Sequence, residues 1–192
     1  MSLQKIYPHI LIVGSIIGLW ASFILILDTI SLIKNPSVVL PCNINPLLSC
    51  TSIASTWQSS VFGFPNPLLG IIAFSMLFAI GVMLLSHGRS KKSLWLLVNL
   101  GTLISMVFII WFFYQSVYKI GSLCLYCMIV WTVSWPIFLY TTVWNFREEH
   151  FKIMPQNSFF NFISKYHIQI LIIGYLIPII LILFHFRDFF FI

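Results

Sequence analysis

The residues in this chain with the clearest capacity for chemistry are its four cysteines, which fall into two pairs. Cys42 and Cys50 are eight positions apart, whereas Cys124 and Cys127 form a C-x-x-C motif. A thiolate attacks a disulfide through a mixed-disulfide intermediate, so neighbouring cysteine pairs can pass electrons to one another. The two pairs therefore indicate thiol–disulfide exchange as the candidate chemistry.

The C-x-x-C motif stands at the start of a predicted helix. Cysteines three positions apart share one helix face, and the positive end of the helix dipole lowers the pKa of a thiol in the first turn. A helix rises about 1.5 Å per residue, so Cys127 is predicted to lie deeper than Cys124. We expect Cys124 to be the more reactive thiol and Cys127 to lie nearer a lipid-soluble oxidant.

A C-x-x-C motif is also compatible with a zinc site, with a structural disulfide or with chance. A structural zinc site needs four nitrogen or sulfur ligands. Most histidines are predicted on the opposite side of the membrane from the cysteines, namely His9, His87, His150 and His167. His185 alone falls near the cysteines, so we predict no metal.

The elements that must position these cysteines are membrane spans. Hydrophobic residues make up 60% of the chain and charged residues only 7%, whereas charged residues are about 25% of a soluble domain. A spanning helix needs about 20 mostly apolar residues. The sequence predicts an all-α integral membrane protein, one domain over residues 1–192, with five transmembrane helices at 10–33, 66–85, 93–118, 123–144 and 168–186. The first span lacks a signal-peptide cleavage site and is expected to be retained.

The basic residues predict the orientation, because short loops rich in Lys and Arg stay cytoplasmic. With the N-terminus inside, the cytoplasmic set is Lys5, Arg89, Lys91, Lys92, Arg147, Lys152 and Lys165, and the outer set is Lys34, Lys119 and Arg187. The cysteines and the C-terminus then lie outside, where disulfides persist. The net charge of +6 is dispersed over loops, which favours contact with the lipid bilayer and argues against nucleic-acid binding.

The long outer loop, residues 34–65, carries the first cysteine pair. Asn45-Pro46 predicts a turn between the two cysteines. Ile53, Trp57 and Val61 recur at helical spacing, which predicts a short amphipathic helix on the membrane surface. That helix would hold the loop over the C-x-x-C motif, although its apolar residues are equally compatible with simple packing on the spans.

In combination, these motifs resemble the vitamin K epoxide reductase family, and specifically a bacterial member. The resemblance rests on the spaced pair in the first outer loop, the Phe-Gly-Phe-Pro-Asn-Pro-Leu-Leu-Gly entry into the second span, and the outward C-x-x-C that opens the fourth span. It covers roughly Ile10 to Phe146. The quinone-coupled oxidases of the DsbB type have the opposite order, with C-x-x-C in the first outer loop.

The resemblance implies four helices around a quinone, a peripheral fifth helix and an outer loop that acts as a lid. By the same resemblance, Cys42 exchanges with a partner protein, Cys50 attacks Cys124, and Cys127 delivers electrons to the quinone. The family's loop hydroxyl falls at Thr56, with Ser55 beside it. Asn66 matches a position whose amide can hydrogen-bond a quinone carbonyl. Trp131 stands where animal members often have Tyr, and its indole donates a hydrogen bond but cannot accept one.

The resemblance further implies a thiol:quinone oxidoreductase of the bacterial inner membrane. Its partners would be ubiquinone or menaquinone and a separate thioredoxin-fold protein of the DsbA type, because the chain ends after the fifth span where many bacterial members continue into a thioredoxin-like domain. The expected result is disulfide formation in exported proteins. Asp28 is the only acidic residue inside a predicted span, and it fits either a proton role or a solvated helix end.

Two other classes of function are compatible with the sequence. A transporter is expected to show matched Gly- or Pro-broken helices at mid-membrane, and only Pro136 and Pro178 interrupt the spans, without a matching pattern. A non-enzymatic membrane scaffold would keep its cysteines as inert structural disulfides. Loss of dithiol oxidation on replacing Cys127 would separate an oxidoreductase from a scaffold.

Overall fold

A computed structural model describes residues 3–86, 88, 91–148 and 158–187. Its seven α-helices are α1 (Leu3–Lys34), α2 (Cys50–Ala54), α3 (Pro67–Leu85), α4 (Lys92–Tyr114), α5 (Leu125–Arg147), α6 (Ser158–Lys165) and α7 (His167–His185). A 3-10 helix covers Trp57–Ser60, and a π-helical segment, Gln115–Ile120, extends α4. No strand occurs in these residues apart from one isolated bridge.

Five of these helices, α1, α3, α4, α5 and α7, are long and apolar enough to cross a membrane. The prediction of an all-α membrane protein with five spans is therefore confirmed. The first span begins earlier than predicted, because α1 continues through Pro8 to Leu3. Several predicted cytoplasmic residues, together with the C-terminus, lie outside the described residues, namely His87, Arg89, His150, Lys152 and Ile192.

The core of the bundle forms where α1 packs against α3 and α5. Small residues allow this close approach, as is usual between membrane helices. The ring of Phe74 covers Gly18, and the side chain of Ser22 lies against Gly70. Nearer the other end of the pair, Gly81 lies against Leu11 and Ile12. The backbones of α1 and α3 thus come together along most of their length.

The last helix lies at the periphery of the bundle, and none of its described residues is buried. It is attached to α5 by two hydrogen bonds to backbone oxygens. The Tyr175 hydroxyl donates to the carbonyl of Thr132 over 2.7 Å, and the Trp135 indole donates to the carbonyl of Leu171 over 3.2 Å.

The outer loop differs from the single amphipathic helix that the spacing of Ile53, Trp57 and Val61 predicts. It contains two short helices, α2 and the 3-10 helix, separated by Ser55 and Thr56. The Thr56 hydroxyl donates to the Ile53 carbonyl over 2.7 Å, and the Ser55 hydroxyl donates to the Ser52 carbonyl over 3.2 Å. Such local bonds from Ser and Thr compete with continued helix, which explains the interruption.

We predict that Gly81→Val lowers the thermal stability of the purified protein. A Cβ at Gly81 would lie 2.8 Å from Cγ1 of Ile12 and 3.3 Å from its backbone nitrogen, so α1 and α3 must separate. Overpacking of this kind costs about 1–3 kcal/mol. Gly101→Val is the matched control, because nothing lies within 4 Å of its Cβ position. Equal melting temperatures for the two variants in detergent would contradict this account of the α1–α3 interface.

Candidate active site

A backbone bridge joins the outer loop to the segment just before α5. The amide of Ser49 donates to the carbonyl of Leu123 over 3.0 Å, and the amide of Leu123 donates to the carbonyl of Leu47 over 2.7 Å. The two chains run parallel at this point. The residue after Ser49 is Cys50 and the residue after Leu123 is Cys124, so this register brings the two cysteines together.

Asn43 and Asn45 shape the loop on the other side of the bridge. The Asn43 amide donates to the Thr51 hydroxyl over 2.7 Å, and its carbonyl oxygen accepts from the Ser49 hydroxyl over 3.2 Å. The Asn45 side chain accepts from the amides of Leu47 and Leu48, as expected for the predicted turn. Asn43, the residue after Cys42, is therefore hydrogen-bonded to both residues that flank Cys50.

Three of the four sulfurs form a compact cluster. Cys42 and Cys50 are disulfide-bonded, with their Cα atoms 5.7 Å apart, whereas Cys124 and Cys127 are free thiols. The Sγ atoms of Cys50 and Cys124 are 3.3 Å apart, which is van der Waals contact between sulfurs. Cys42 and Cys50 are each 2% exposed and Cys124 is 1% exposed. The sulfurs are thus positioned for exchange and shielded from solvent.

Cys124 is the N-cap of α5, where its Sγ accepts a hydrogen bond from the amide of Cys127 over 3.4 Å. A hydrogen bond from the side chain of Cys127 is the largest influence on the Cys124 thiol, and it lowers its pKa. Burial opposes this effect, and so does the negative charge of Asp28, but the net pKa lies below the usual value for a thiol. Cys124 is therefore the sulfur that most readily becomes a thiolate.

A cavity of about 520 Å³ lies between the helices directly beneath this cluster. Cys127 lines it, together with Cys50 and Cys124, and most of the remaining wall is apolar. Ile72 and Met76 of α3 and Ile104 of α4 line the cavity, and each of them is more than half exposed. The cavity therefore opens sideways toward lipid between α3 and α4. Its volume is typical of small-molecule sites.

The structure places two of the four predicted supporting residues on the cavity wall. Asn66 lines the cavity, and its amide donates to the Gln58 carbonyl over 2.7 Å, which leaves one N–H free of this bond. Trp131 also lines it and packs edge-on against Phe113. Ser55 and Thr56 lie instead in the turn after α2, where their hydroxyls bond to the backbone. The roles of these four residues stay predictions.

Sequence reasoning did not identify several polar groups near the site. The hydroxyl-bearing residues Ser22, Thr29, Ser105 and Ser134 line the cavity, and their position within apolar spans was the available signal. Asp28 lies with its Oδ2 atom 3.7 Å from the Sγ of Cys42. Asp28, Cys42 and Cys50 form a group whose potential ligand atoms lie within 4.8 Å of one another, but both of its sulfurs are already bonded to each other in the disulfide.

Residues 9–142 match the vitamin K epoxide reductase family. The chain belongs to this family. No individual curated protein matches it. Membership confirms the resemblance noted above and makes the chain a multi-pass membrane protein of the thiol–disulfide oxidoreductase class that acts on quinone. The matched segment contains both cysteine pairs, the outer loop and all of the residues that line the cavity.

Quinone chemistry fits the cavity that this family member contains. A quinone ring is flat and apolar with two carbonyl acceptors, and the cavity offers apolar walls, the remaining N–H of Asn66 and the thiol of Cys127. The sideways opening provides room for an isoprenoid tail in the lipid phase. The residues present are thus compatible with a quinone acceptor.

We predict that Cys127→Ser accumulates a disulfide between Cys50 and Cys124. Their sulfurs already lie 3.3 Å apart, so Cys124 can attack Cys50 of the loop disulfide and release Cys42. Without the Cys127 thiol, only the released Cys42 can break the new bond, and alkylation of Cys42 during isolation prevents this. Peptide mapping under non-reducing conditions should recover this crosslink between distant segments. The double variant Cys127→Ser, Cys50→Ser is the control and should show none. Recovery of only the Cys42–Cys50 pair from Cys127→Ser would contradict the prediction.

We predict a thiolate at Cys124 at unusually low pH. A lowered pKa means that the thiolate persists as the pH falls below about 8.5, the value for an ordinary cysteine. The measurement is the ultraviolet thiolate absorbance between pH 5 and 9 in a Cys42→Ser, Cys50→Ser background, where exchange with the loop is impossible. Further replacement of Cys127 by Ala should raise the pH midpoint of thiolate formation, because the hydrogen bond from the Cys127 side chain to Cys124 is lost. Replacement by Ser should raise this midpoint less. Equal midpoints would contradict the role assigned to Cys127.

Proposed function

We propose that this protein reoxidises a thioredoxin-fold dithiol protein of the DsbA type at the outer face of a bacterial inner membrane. Electrons pass from that donor to Cys42–Cys50, then to Cys124–Cys127, and then to ubiquinone or menaquinone. The result is continued disulfide formation in exported proteins. The observation that carries this proposal is the contact of 3.3 Å between Cys50 and Cys124, which links a loop disulfide to a C-x-x-C pair on a quinone-sized cavity.

The proposed steps are successive thiolate attacks on disulfides. A donor thiolate attacks Cys42 and releases Cys50, and the second donor thiol then frees Cys42 and completes the donor disulfide. The Cys50 thiolate attacks Cys124 of an oxidised C-x-x-C pair and releases Cys127. Cys42 next attacks Cys50 and releases Cys124, which restores the loop disulfide. A quinone in the cavity supplies a two-electron acceptor for the reduced C-x-x-C pair.

In this proposal, a loop disulfide beside a reduced C-x-x-C pair is the state that follows the internal transfer. The loop pair is a disulfide and the C-x-x-C pair is reduced, so both electrons reside next to the cavity. Electrons move downhill along the whole route when the quinone pool is more oxidising than the donor, whose potential is about −120 mV for a DsbA-type pair.

The proposed orientation is supported by the charges at the two ends of the bundle. At the end that carries the cysteines, the described basic residues are Lys34, Lys119 and Arg187. At the opposite end they are Lys5, Lys91, Lys92, Arg147 and Lys165. The greater number at the end away from the cysteines favours that end as the cytoplasmic one.

Exchange with a protein donor requires the loop to move. Cys42 is 2% exposed in the closed arrangement, so a donor thiolate cannot reach its sulfur there. The bridge between Leu47, Ser49 and Leu123 contains only two hydrogen bonds. Each such bond stabilises by about 0.5–1.5 kcal/mol net, which makes opening at this point energetically accessible.

We predict that Cys50→Ser traps the donor on Cys42. In Cys50→Ser the Cys42 thiolate attacks the disulfide of an oxidised donor molecule, which forms the Cys42–donor bond and releases the second donor thiol. Cys50 is no longer present to attack Cys42 and free the donor, so only the second donor thiol can resolve the adduct and the adduct accumulates in cells. Non-reducing electrophoresis followed by mass spectrometry should identify a thioredoxin-fold protein bound at Cys42. The Cys42→Ser, Cys50→Ser double variant is the control and should lose the adduct. An adduct found at Cys124 instead would show that the loop pair is not the entry point.

Mass spectrometry of lipids that co-purify with the protein tests the other end of the route. A stoichiometric ubiquinone or menaquinone would identify the acceptor. Sustained catalytic oxidation of a dithiol by a preparation free of quinone, with no quinone added, would contradict the proposal.

A further inference from the structure

One carboxylate in the bundle makes its polar contact with a redox-active sulfur. Asp28 lies in the outer part of α1 and is half-buried, with Oδ2 3.7 Å from the Sγ of Cys42. Ionisable residues in membrane helices are costly and are usually retained for function, so this placement next to a reacting atom calls for a chemical role.

We propose that Asp28 is a catalytic residue that accepts the proton of the Cys42 thiol when the loop disulfide closes. This inference rests on the proposed function, because it assigns a proton acceptor to one of the internal transfer steps. Cys42 is the sulfur that attacks in that step, and only a thiolate is an effective nucleophile. Solvent hydroxide has poor access to a sulfur that is 2% exposed, whereas the Asp28 carboxylate lies within reach.

The step balances in bonds, charge and protons. The Cys42 proton moves to the Asp28 carboxylate, and the Cys42 sulfur attacks Cys50 in the mixed disulfide between Cys50 and Cys124. The Cys42–Cys50 bond forms, the Cys50–Cys124 bond breaks, and Cys124 leaves as a thiolate. One negative charge has moved from Asp28 to Cys124. The proton on Asp28 and the proton on Cys127 together match the two electrons that a quinone then accepts, which restores the carboxylate.

The electrostatics of the leaving group favour this order of events. The hydrogen bond from Cys127 lowers the pKa of Cys124, whereas the negative charge of Asp28 acts in the opposite direction. Protonation of Asp28 removes that repulsion at the moment when Cys124 must depart as a thiolate. The cysteine sulfurs recorded near the carboxylate in the described part of the chain are those of the relay: Cys42 and Cys50 of the loop disulfide and Cys124 at the start of α5.

The test is a stopped-flow reaction of the fully reduced protein with excess short-tailed ubiquinone. Four thiols carry four electrons, so one protein molecule can reduce two quinones. The first is reduced by Cys124 and Cys127 directly. The second requires that Cys42 and Cys50 transfer their electrons inward, which is the route that contains the Asp28 step. The first phase thus serves as an internal control for folding, for quinone access and for the C-x-x-C pair.

We expect Asp28→Asn to preserve the first phase and to slow the second by about a hundredfold at neutral pH, the scale of general-base catalysis. Its second phase should then rise about tenfold per pH unit toward the ordinary thiol pKa, because hydroxide must replace the carboxylate. Asp28→Glu should recover much of the rate. Ser31→Ala is the matched control on α1, since Ser31 is exposed and its hydroxyl bonds to its own helix at the Leu27 carbonyl.

The outcomes separate this inference from the proposed function. A second phase in Asp28→Asn with the rate and pH profile of the unsubstituted protein would overturn the role of Asp28 and leave the relay standing. Absence of a second phase in the unsubstituted protein would instead overturn the transfer from the loop pair to the C-x-x-C pair. Loss of both phases in Asp28→Asn, without rescue by Glu, would show a structural role and would also overturn the inference.

Discussion

The arrangement of the site depends on the short backbone bridge between the outer loop and the residue before α5. Its two hydrogen bonds join Leu47 and Ser49 to Leu123. Cys50 directly follows Ser49 in the sequence, and Cys124 directly follows Leu123. A shift of one residue on either side would turn one sulfur away from the other, because side chains alternate in extended pairing. The sulfur contact is thus a consequence of register, which Asn43 and Asn45 stabilise from within the loop.

Besides the sulfur contact, the site contains a cavity that reaches the cysteines from the lipid side, and the helices beneath the bridge form it. Close packing of α1 against α3 through Gly18, Gly70 and Gly81 forms one wall, and α4, α5 and the outer loop complete the lining. The bundle is therefore tight where the backbones touch and open where α3 and α4 face lipid. Cys127, one turn into α5, lies at the junction between the sulfur cluster and this apolar space.

The sequence was sufficient for the spans and for the two cysteine pairs, because apolar length and cysteine spacing are local properties. It could not predict the bridge, since backbone amides at Leu47, Ser49 and Leu123 carry no sequence signature. The interruption of the loop helix also went unpredicted, because helical spacing alone does not show that the hydroxyls of Ser55 and Thr56 will bond to the backbone. The contact of Asp28 with Cys42 depends on how α1 is rotated toward the loop, which only the assembled bundle determines.

Burial of the sulfurs has a consequence for the chemical isolation of the protein. Cys42, Cys50 and Cys124 expose 1–2% of their surface, so small thiols dissolved outside the membrane collide with side chains and backbone before they meet a sulfur. Thiol–disulfide exchange needs direct contact between sulfurs, and insulation therefore acts as a kinetic barrier. The buried cysteines can therefore stay oxidised or reduced while the surrounding thiols are in the opposite state, even where the reduction potentials of the two are similar. In the closed conformation, burial of the sulfurs prevents surrounding small thiols from passing electrons directly to the cysteines and so to the membrane.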